Sequence, residues 1–297
     1  MSDTLTGLHR KRAGARDLQS VVRTMKAIAA SSIGQYEKSV TALMDYSDTV
    51  ELGLAVCLRE SAPMPANNMG KGYADTENIG AVIFGSDQGL VGQFNEVLVD
   101  FALKTLATLP GTPSIWAVGE RVSSRLVDHG LPIRGLFSVP NSVKGISPLV
   151  GRILVESENI RGNNEASELY LFYNRPQSDM VFTPVSLRLL PLDETWRRNL
   201  ANFTWPTTQL PEVIGGGSDT LRALIREYLF VSLFRACAES LASENASRLA
   251  AMQRAEKNIE ELLEDLDGRF NRLRQSSIDE ELFDVISGFE AISKHSA

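Results

Sequence analysis

Apolar positions in the last eighty residues recur at three- and four-residue steps. They run through Leu221, Ile225, Tyr228, Leu241, Leu249, Met252, Ala255, Ile259, Leu262, Leu266, Phe270 and Leu273, with Ser232 and Asn245 as polar members of the row. That spacing lays one stripe along one side of a helix. No proline follows Pro211, and Gly268 is the single glycine between Asp219 and Ser287. At 1.5 Å per residue, some seventy residues make a rod of about 105 Å, too long for the interior of a compact domain. The first sixty residues carry a matching stripe: Leu18, Val22, Met25, Ala29, Ser32 and Tyr36, then Val40, Leu43, Ser47, Val50, Leu54 and Cys57. Two helices with one modest stripe each bury those stripes most simply against each other, as an antiparallel coiled coil. The C-terminal helix is expected to overhang its partner by roughly 25 Å. An ordinary bundle is the competing arrangement. The small or polar seam residues Ala29, Ser32, Asn245 and Ala255 favour a slender pair.

The middle of the chain follows a different pattern. Residues 60–78, rich in proline, glycine and asparagine, read as a linker. Short β-branched runs then alternate with helical spacing. Strands are expected at Ile79–Phe84, Ser114–Val118, Ile133–Ser138, Glu168–Asn174 and Met180–Leu190, the last two able to pair as a hairpin across a turn at Pro176–Asp179. Helices are expected at Val91–Thr108, Glu120–Val127 and Ser147–Glu158. Such alternation gives an α/β layer with a largely parallel sheet. The fold class is therefore α/β with a long antiparallel coiled coil, its N- and C-terminal helices forming a shaft and a Rossmann-like domain inserted between them. The expected divisions are a coiled-coil helix over 1–59, the linker 60–78, the α/β domain with its return loop over 79–217, and a second coiled-coil helix over 218–297.

Composition narrows the chemistry. The chain has 297 residues, 43% hydrophobic and 23% charged, enough for a real core. A net charge of −7 argues against nucleic acid as partner, although Arg10, Lys11, Arg12, Arg16, Arg23 and Lys26 make a local basic run against a single Asp17. Such a run is ordinarily a solvated helix face. Cys57 and Cys237 lie in helical patterns at no metal or redox spacing and read as small core residues. The N-terminus shows no apolar signal core, and no apolar run approaches a membrane span. Gly85–Gln93 follows a strand and precedes a helix, where a phosphate loop would sit. It lacks the Lys-Ser/Thr of that loop and reads as a tight turn. Three scattered histidines, His9, His129 and His295, make neither a metal cluster nor a triad, and the carboxylates Glu260, Glu261 and Glu264 read as a solvated face. No cofactor, metal site or catalytic centre is expected.

Three stretches resemble the gamma subunit, the central rotor shaft, of F-type ATP synthases. DLQSVVRTMKAIAAS (Asp17–Ser31) is similar to that family's Thr-x-Lys-Ile-Thr-x-Ala-Met-x-Met-Val-Ala-Ala, with Met25, Ala29 and Ala30 in register. SDQGLVGQFN (Ser86–Asn95) resembles its Ser-Asp-Arg-Gly-Leu-Cys-Gly-x-x-Asn. ESLASENASRLAAMQRAEKNI (Glu239–Ile259) and FNRLRQSSIDEELFDVISG (Phe270–Gly288) resemble its C-terminal segments, so the likeness covers essentially the whole chain. The chain departs from the family at Ser20–Thr24, at Asp279 where the family has threonine, and in ANFTWPTTQLPEVIGGG before the long helix. The N-terminal pattern DLQSVVRTMKAIAASSIGQYE resembles the divergent gamma subunits of an alternate, sodium-type bacterial ATPase.

The resemblance implies a non-catalytic subunit, peripheral on the cytoplasmic face of the bacterial inner membrane. Its partners would be the alpha and beta subunits of a threefold ring, the epsilon subunit and the membrane c-ring, with no insertion into the bilayer. It implies contacts from Arg274, Gln275 and Asp279 to the catalytic subunits. Met25 would contact the ring where an added charge perturbs coupling, and the basic residues Arg10, Lys11, Arg12, Arg23 and Lys26 would face acidic segments of the ring. Two other classes fit parts of the pattern: a non-rotating coiled-coil adaptor, and an enzyme using the Gly85–Gly92 loop.

Overall fold

In the computed structural model the chain is described over residues 4–60, 78–162, 168–177, 181–192 and 217–295, with scattered positions between 196 and 213. The expected linker and most of the return loop lie outside the described residues. Two helices dominate: α1 (Leu5–Glu60, 56 residues) and, at the other end, one of 79 residues (Gly217–His295). Between them come β1 (Asn78–Phe84), α2 (Phe94–Leu106), β2 (Thr112–Val118), α3 (Glu120–Asp128), β3 (Ile133–Phe137), α4 (Val143–Gly162), β4 (Glu168–Arg175) and β5 (Thr183–Leu190), so the C-terminal helix is α5. The chain divides into two compact units, one of Met1–Ile28 with Leu249–Ala297, the other of Ala29–Arg248.

The larger unit is built on one five-stranded sheet in the order β3-β2-β1-β4-β5. Four strands are parallel, and β5 returns antiparallel on β4 as the expected hairpin. Parallel strands need cover on both faces, and the alternation along β1 supplies it. Ala81 and Ile83 point toward α2 and α3, in a core with Leu98, Val99, Ala102, Val122 and Leu126. Val82 and Phe84 point the other way, into a core with Ile146, Leu149 and Ile153 of α4, Tyr36 of α1, and Leu233, Cys237 and Leu241 of α5. Each large side chain fully removed from water there contributes about 1.5–3 kcal/mol.

Two helix starts differ from the spacing-based expectation. α2 begins at Phe94 rather than Val91, because Leu90 (φ 63°) and Gly92 (φ 60°) are left-handed and cannot join a right-handed helix. α4 begins at Val143 and takes Pro148 inside it. Burial of Ile146, Leu149, Val150 and Ile153 against the sheet outweighs the proline's missing donor.

In the smaller unit α1 and α5 run antiparallel. As α1 advances from Arg12 to Gln19, Arg23 and Lys26, its polar partners on α5 retreat from Asp267 to Glu260 and Glu256. The α1 seam is Leu8, Ala15 and Val22, buried at seven-residue steps, and Met252, Ile259 and Leu266 answer it on α5. This corrects the expected stripe. Leu18 is 52% exposed and Leu262 47%, while Leu8, Ala15 and Leu263, absent from that stripe, pack in the seam. Past Leu273, α5 continues beyond the level of α1's first residue by some twenty residues, about 30 Å, close to the expected overhang.

Candidate partner-contact surface

Two kinds of surface compete for a functional role: the crevice at the end of the sheet and the outer faces of the coiled coil. In a doubly wound sheet, ligands enter where neighbouring strands lead their connections to opposite sides, here between β1 and β4. That crevice is occupied by α5. The buried Ser240 hydroxyl donates to the carbonyl of Phe84, at the end of β1, at 3.1 Å. Ser243 donates to the Asn174 carbonyl of β4 at 2.9 Å, and Ser247 to that of Val91. A helix that satisfies both strand ends leaves no opening between them.

The Gly85–Gln93 loop is equally committed. Asn95 accepts from the Ser86 backbone at 3.1 Å and donates to the Ser86 hydroxyl at 2.9 Å. The Asp87 carboxylate accepts from the backbone of Glu120 at 3.0 Å, where it caps α3, and from Val139 at 2.9 Å. An anion there would meet a carboxylate rather than free N–H groups. The loop is the structural turn expected of it, and it ties β1, α3 and the segment after β3 together.

The coil distributes the remaining candidates into two sets. Arg12, Arg23 and Lys26 turn toward α5. Arg12 pairs with Asp267 and lies 4.7 Å over the Phe270 ring. Arg23 Nε donates to Glu256 at 2.8 Å, and its Nη2 lies 3.4 Å from Glu260. Lys26 Nζ donates to the same Glu256 at 2.5 Å, and Gln19 donates to Glu260 at 3.4 Å. The Glu256 side chain is only 15% exposed between its two cations. Hydrogen bonds from Lys26 and then Arg23 hold its carboxyl below the usual range, and the same contact with Glu256 raises Arg23. Met25 is half-buried against Val22, Met252 and Ile259. Arg10 and Lys11 are exposed.

The second set lies on α5 past its pairing with α1. Arg274, Gln275 and Asp279 are exposed there, and so are five large apolar residues: Ile278 (52%), Leu282 (57%), Phe283 (68%), Val285 (70%) and Ile286 (46%). The structure brings Arg274, Gln275 and Asp279 onto one stretch of helix. What sequence reading missed is the acidic half of the seam, Glu256, Glu260 and Asp267. A signal was present: Arg12, Gln19 and Lys26 are seven apart, as are Glu260 and Asp267.

The lowered Glu256 pKa has a testable sign. A carboxyl more acidic folded than unfolded adds stability above the ordinary carboxylate range and loses it as pH falls through the lowered value. Thermal unfolding followed from neutral pH downward should therefore show a falling midpoint. The Glu256→Gln chain should show a shallower fall over the same window, and equal slopes would refute the assignment.

Comparison with known proteins agrees with this geometry. Residues 4–292 match the ATP synthase family. The chain is similar to the ATP synthase gamma chain of Glaesserella parasuis, 28% identical over 288 residues, covering 95% of this chain and 97% of that one. To that of Desulfitobacterium hafniense it is 24% identical over 290 residues, covering 96% and 98%. Among solved structures, a chain of the Euglena gracilis mitochondrial ATP synthase (OSCP/F1/c-ring, rotational state 3) superposes with a TM-score of 0.65 at 15% identity, over 97% of this chain and 94% of that one. A chain of the rotor from the same organism gives 0.61 at 16% identity, over 92% and 98%. At these identities the structural likeness concerns the fold.

Proposed function

The chain belongs to the ATP synthase family, among relatives named gamma chains, and from that premise we propose that it is the central shaft of an F-type ATPase. The observation that carries the mechanical part is the solitary end of α5. A single helix does not keep Leu282, Phe283 and Val285 largely in water for its own stability; a surface of that kind is covered by a partner. A sleeve around the helix covers all its faces at once, as the threefold ring of alpha and beta subunits would. Arg274, Gln275 and Asp279 then meet loops of the catalytic subunits, the guanidinium pairing with carboxylates. The shaft has no threefold symmetry, so each catalytic subunit faces a different side of it. Rotation changes which site is tight by differential contact with each state.

In this reading residues 1–59 and 218–297 form the shaft and 79–217 the body, which meets the epsilon subunit and the c-ring. The chain contributes no catalytic residue. It sits peripherally at the cytoplasmic face of a bacterial membrane, and no described helix is long and apolar enough to cross one. The sodium-type subfamily is proposed on the N-terminal motif alone.

The test is co-expression with the alpha and beta subunits, purification through a tag on this chain, and assay of ATP hydrolysis. One copy per ring of three alpha and three beta subunits, with activity dependent on the chain, is the expected result. In membranes carrying the whole complex, replacing Arg274 and Gln275 by alanine should weaken coupling of hydrolysis to ion transport. Recovery of the chain alone, from cells with assembled rings, would overturn the reading.

A further inference from the structure

Over residues 5–28, α1 offers two faces to α5, and both contain Leu8, Ala15 and Val22. One face adds Leu5, Arg12, Gln19 and Lys26. The other adds Lys11, Leu18 and Met25, with Val21 just beyond. Met25 already packs against Met252 and Ile259, so the faces differ in whether Leu18 or the Arg12 and Gln19 side chains are covered, and apolar burial favours Leu18. The structure takes the first. Leu18 and Val21 are left 52% and 54% exposed, and Leu262 of α5, at the level of Leu18 by the Gln19–Glu260 contact, is 47% exposed on the same flank. The opposite flank carries these ion pairs between the two helices: Arg12 with Asp267, Arg23 with Glu256 and Glu260, and Lys26 with Glu256.

We propose that Glu256 and Glu260 are positioning residues that select which face of α1 meets α5, and thereby which face of the coil stays outward. Position 256 makes the argument sharp. Its neighbours one heptad away on α5 are Leu249 and Leu263, both partly buried, so the glutamate interrupts a row that leucine continues on either side. Apolar packing gives no reason for a carboxylate there. Its two cations do, because a glutamate shared by Arg23 and Lys26 on successive turns of α1 is satisfied at one rotational setting of that helix. Turned by one face, α1 would present Leu18 to α5 and carry Lys26 away from its acid. The choice therefore gives the coil one flank with these ion pairs and an apolar patch of Leu18, Val21 and Leu262 on the other flank. That the apolar patch meets ring subunits rests on the function proposed above; the face selection does not.

The test uses the full-length chain and site-resolved thiol labelling by a maleimide, read by mass spectrometry, with cysteine placed singly at Leu18 or Gln19. Cys57 and Cys237 are buried and serve as internal controls for unfolding. With both acids present, Leu18→Cys should label about fivefold faster than Gln19→Cys. With Glu256→Leu and Glu260→Leu together, that order should invert. Exchanging the charges across the seam (Arg23→Glu, Lys26→Glu, Glu256→Lys, Glu260→Lys) should restore the original order. An unchanged order in the leucine variant would overturn the proposal. So would fast labelling at both positions, which would mean that the acids merely hold α1 in place, and so would a failure of the exchanged charges to restore the order. None of these readouts depends on ring subunits, so the family-level function stands or falls separately.

Discussion

A methyl group at Gly85 or Gly119 is expected to destabilise the α/β unit by about 3 kcal/mol or more, enough to unfold a marginal domain. Gly85 ends β1 where α3 crosses it. A Cβ there would lie 2.2 Å from Cβ of Val122, 2.5 Å from its Cγ1 and 2.8 Å from the Asn95 side-chain oxygen. Val122 is fully buried on α3 and cannot withdraw, and Asn95 is held by two bonds to Ser86. Gly119 sits at φ +118° with its would-be Cβ 2.7 Å from the Ser86 carbonyl oxygen, so both strain and contact oppose a side chain. Gly14, in α1 with nothing within 4 Å, is the control. Alanine there should be neutral or stabilising by about 0.5–1 kcal/mol, because glycine is a poor helix residue. Denaturant midpoints of the three variants decide the matter. Similar midpoints for Gly85→Ala and Gly14→Ala would show that the turn is not the tight knot described.

That glycine loop also shows how the sequence could be read and where reading stopped. The strand-turn-helix grammar around it was legible because β1 is a short apolar run closed by glycine. The order of all five strands and the three intervening helices followed from the same kind of signal. The role of the loop's polar residues was not legible. Asp87 caps an element that begins thirty-three residues later in the chain, at Glu120, and local pattern carries no information about such a contact. The serines of α5 are a second case. Ser240, Ser243 and Ser247 belong to the segment most like the family's motif, yet on a helix they read as surface. They are buried, because the sheet's strand ends need donors.

The coil is the instructive failure. Periodicity correctly identified two long helices and their antiparallel pairing, since any stripe at three-four spacing implies a partner. It placed Val22, Met25 and Ala29 inward correctly but added Leu18, which stays exposed. The rule that apolar residues go inward ranks single helices, whereas the face of α1 is settled by Glu256 and Glu260 more than two hundred residues away. The basic run was likewise divided by its partners. Arg12, Arg23 and Lys26 are ion-paired with acids of α5, whereas Arg10, Lys11 and Arg16 are exposed.

Replacing Leu282 and Phe283 together by aspartate is expected to abolish stable assembly with ring subunits while leaving the isolated chain folded. Both side chains lie on the stretch of α5 past its pairing with α1 and are 57% and 68% exposed, so folding gains little from them. Substitutions at such positions ordinarily change stability by about 0.5 kcal/mol or less. Within a closed sleeve the same two positions would be desolvated, and an unpaired carboxylate removed from water there costs several kcal/mol. A loss of that size lowers affinity by about a thousandfold or more, so the chain should no longer co-purify with the ring. The substitution also separates the solitary end of α5 from the paired coil. If rings assemble normally around the doubly charged end, the apolar residues there are not the covered surface. The hold of the ring on the shaft would then have to come from the paired part of the coil. A fall in thermal stability of the isolated chain equal to that of Gly85→Ala would instead place Leu282 and Phe283 in the fold itself, contrary to their exposure.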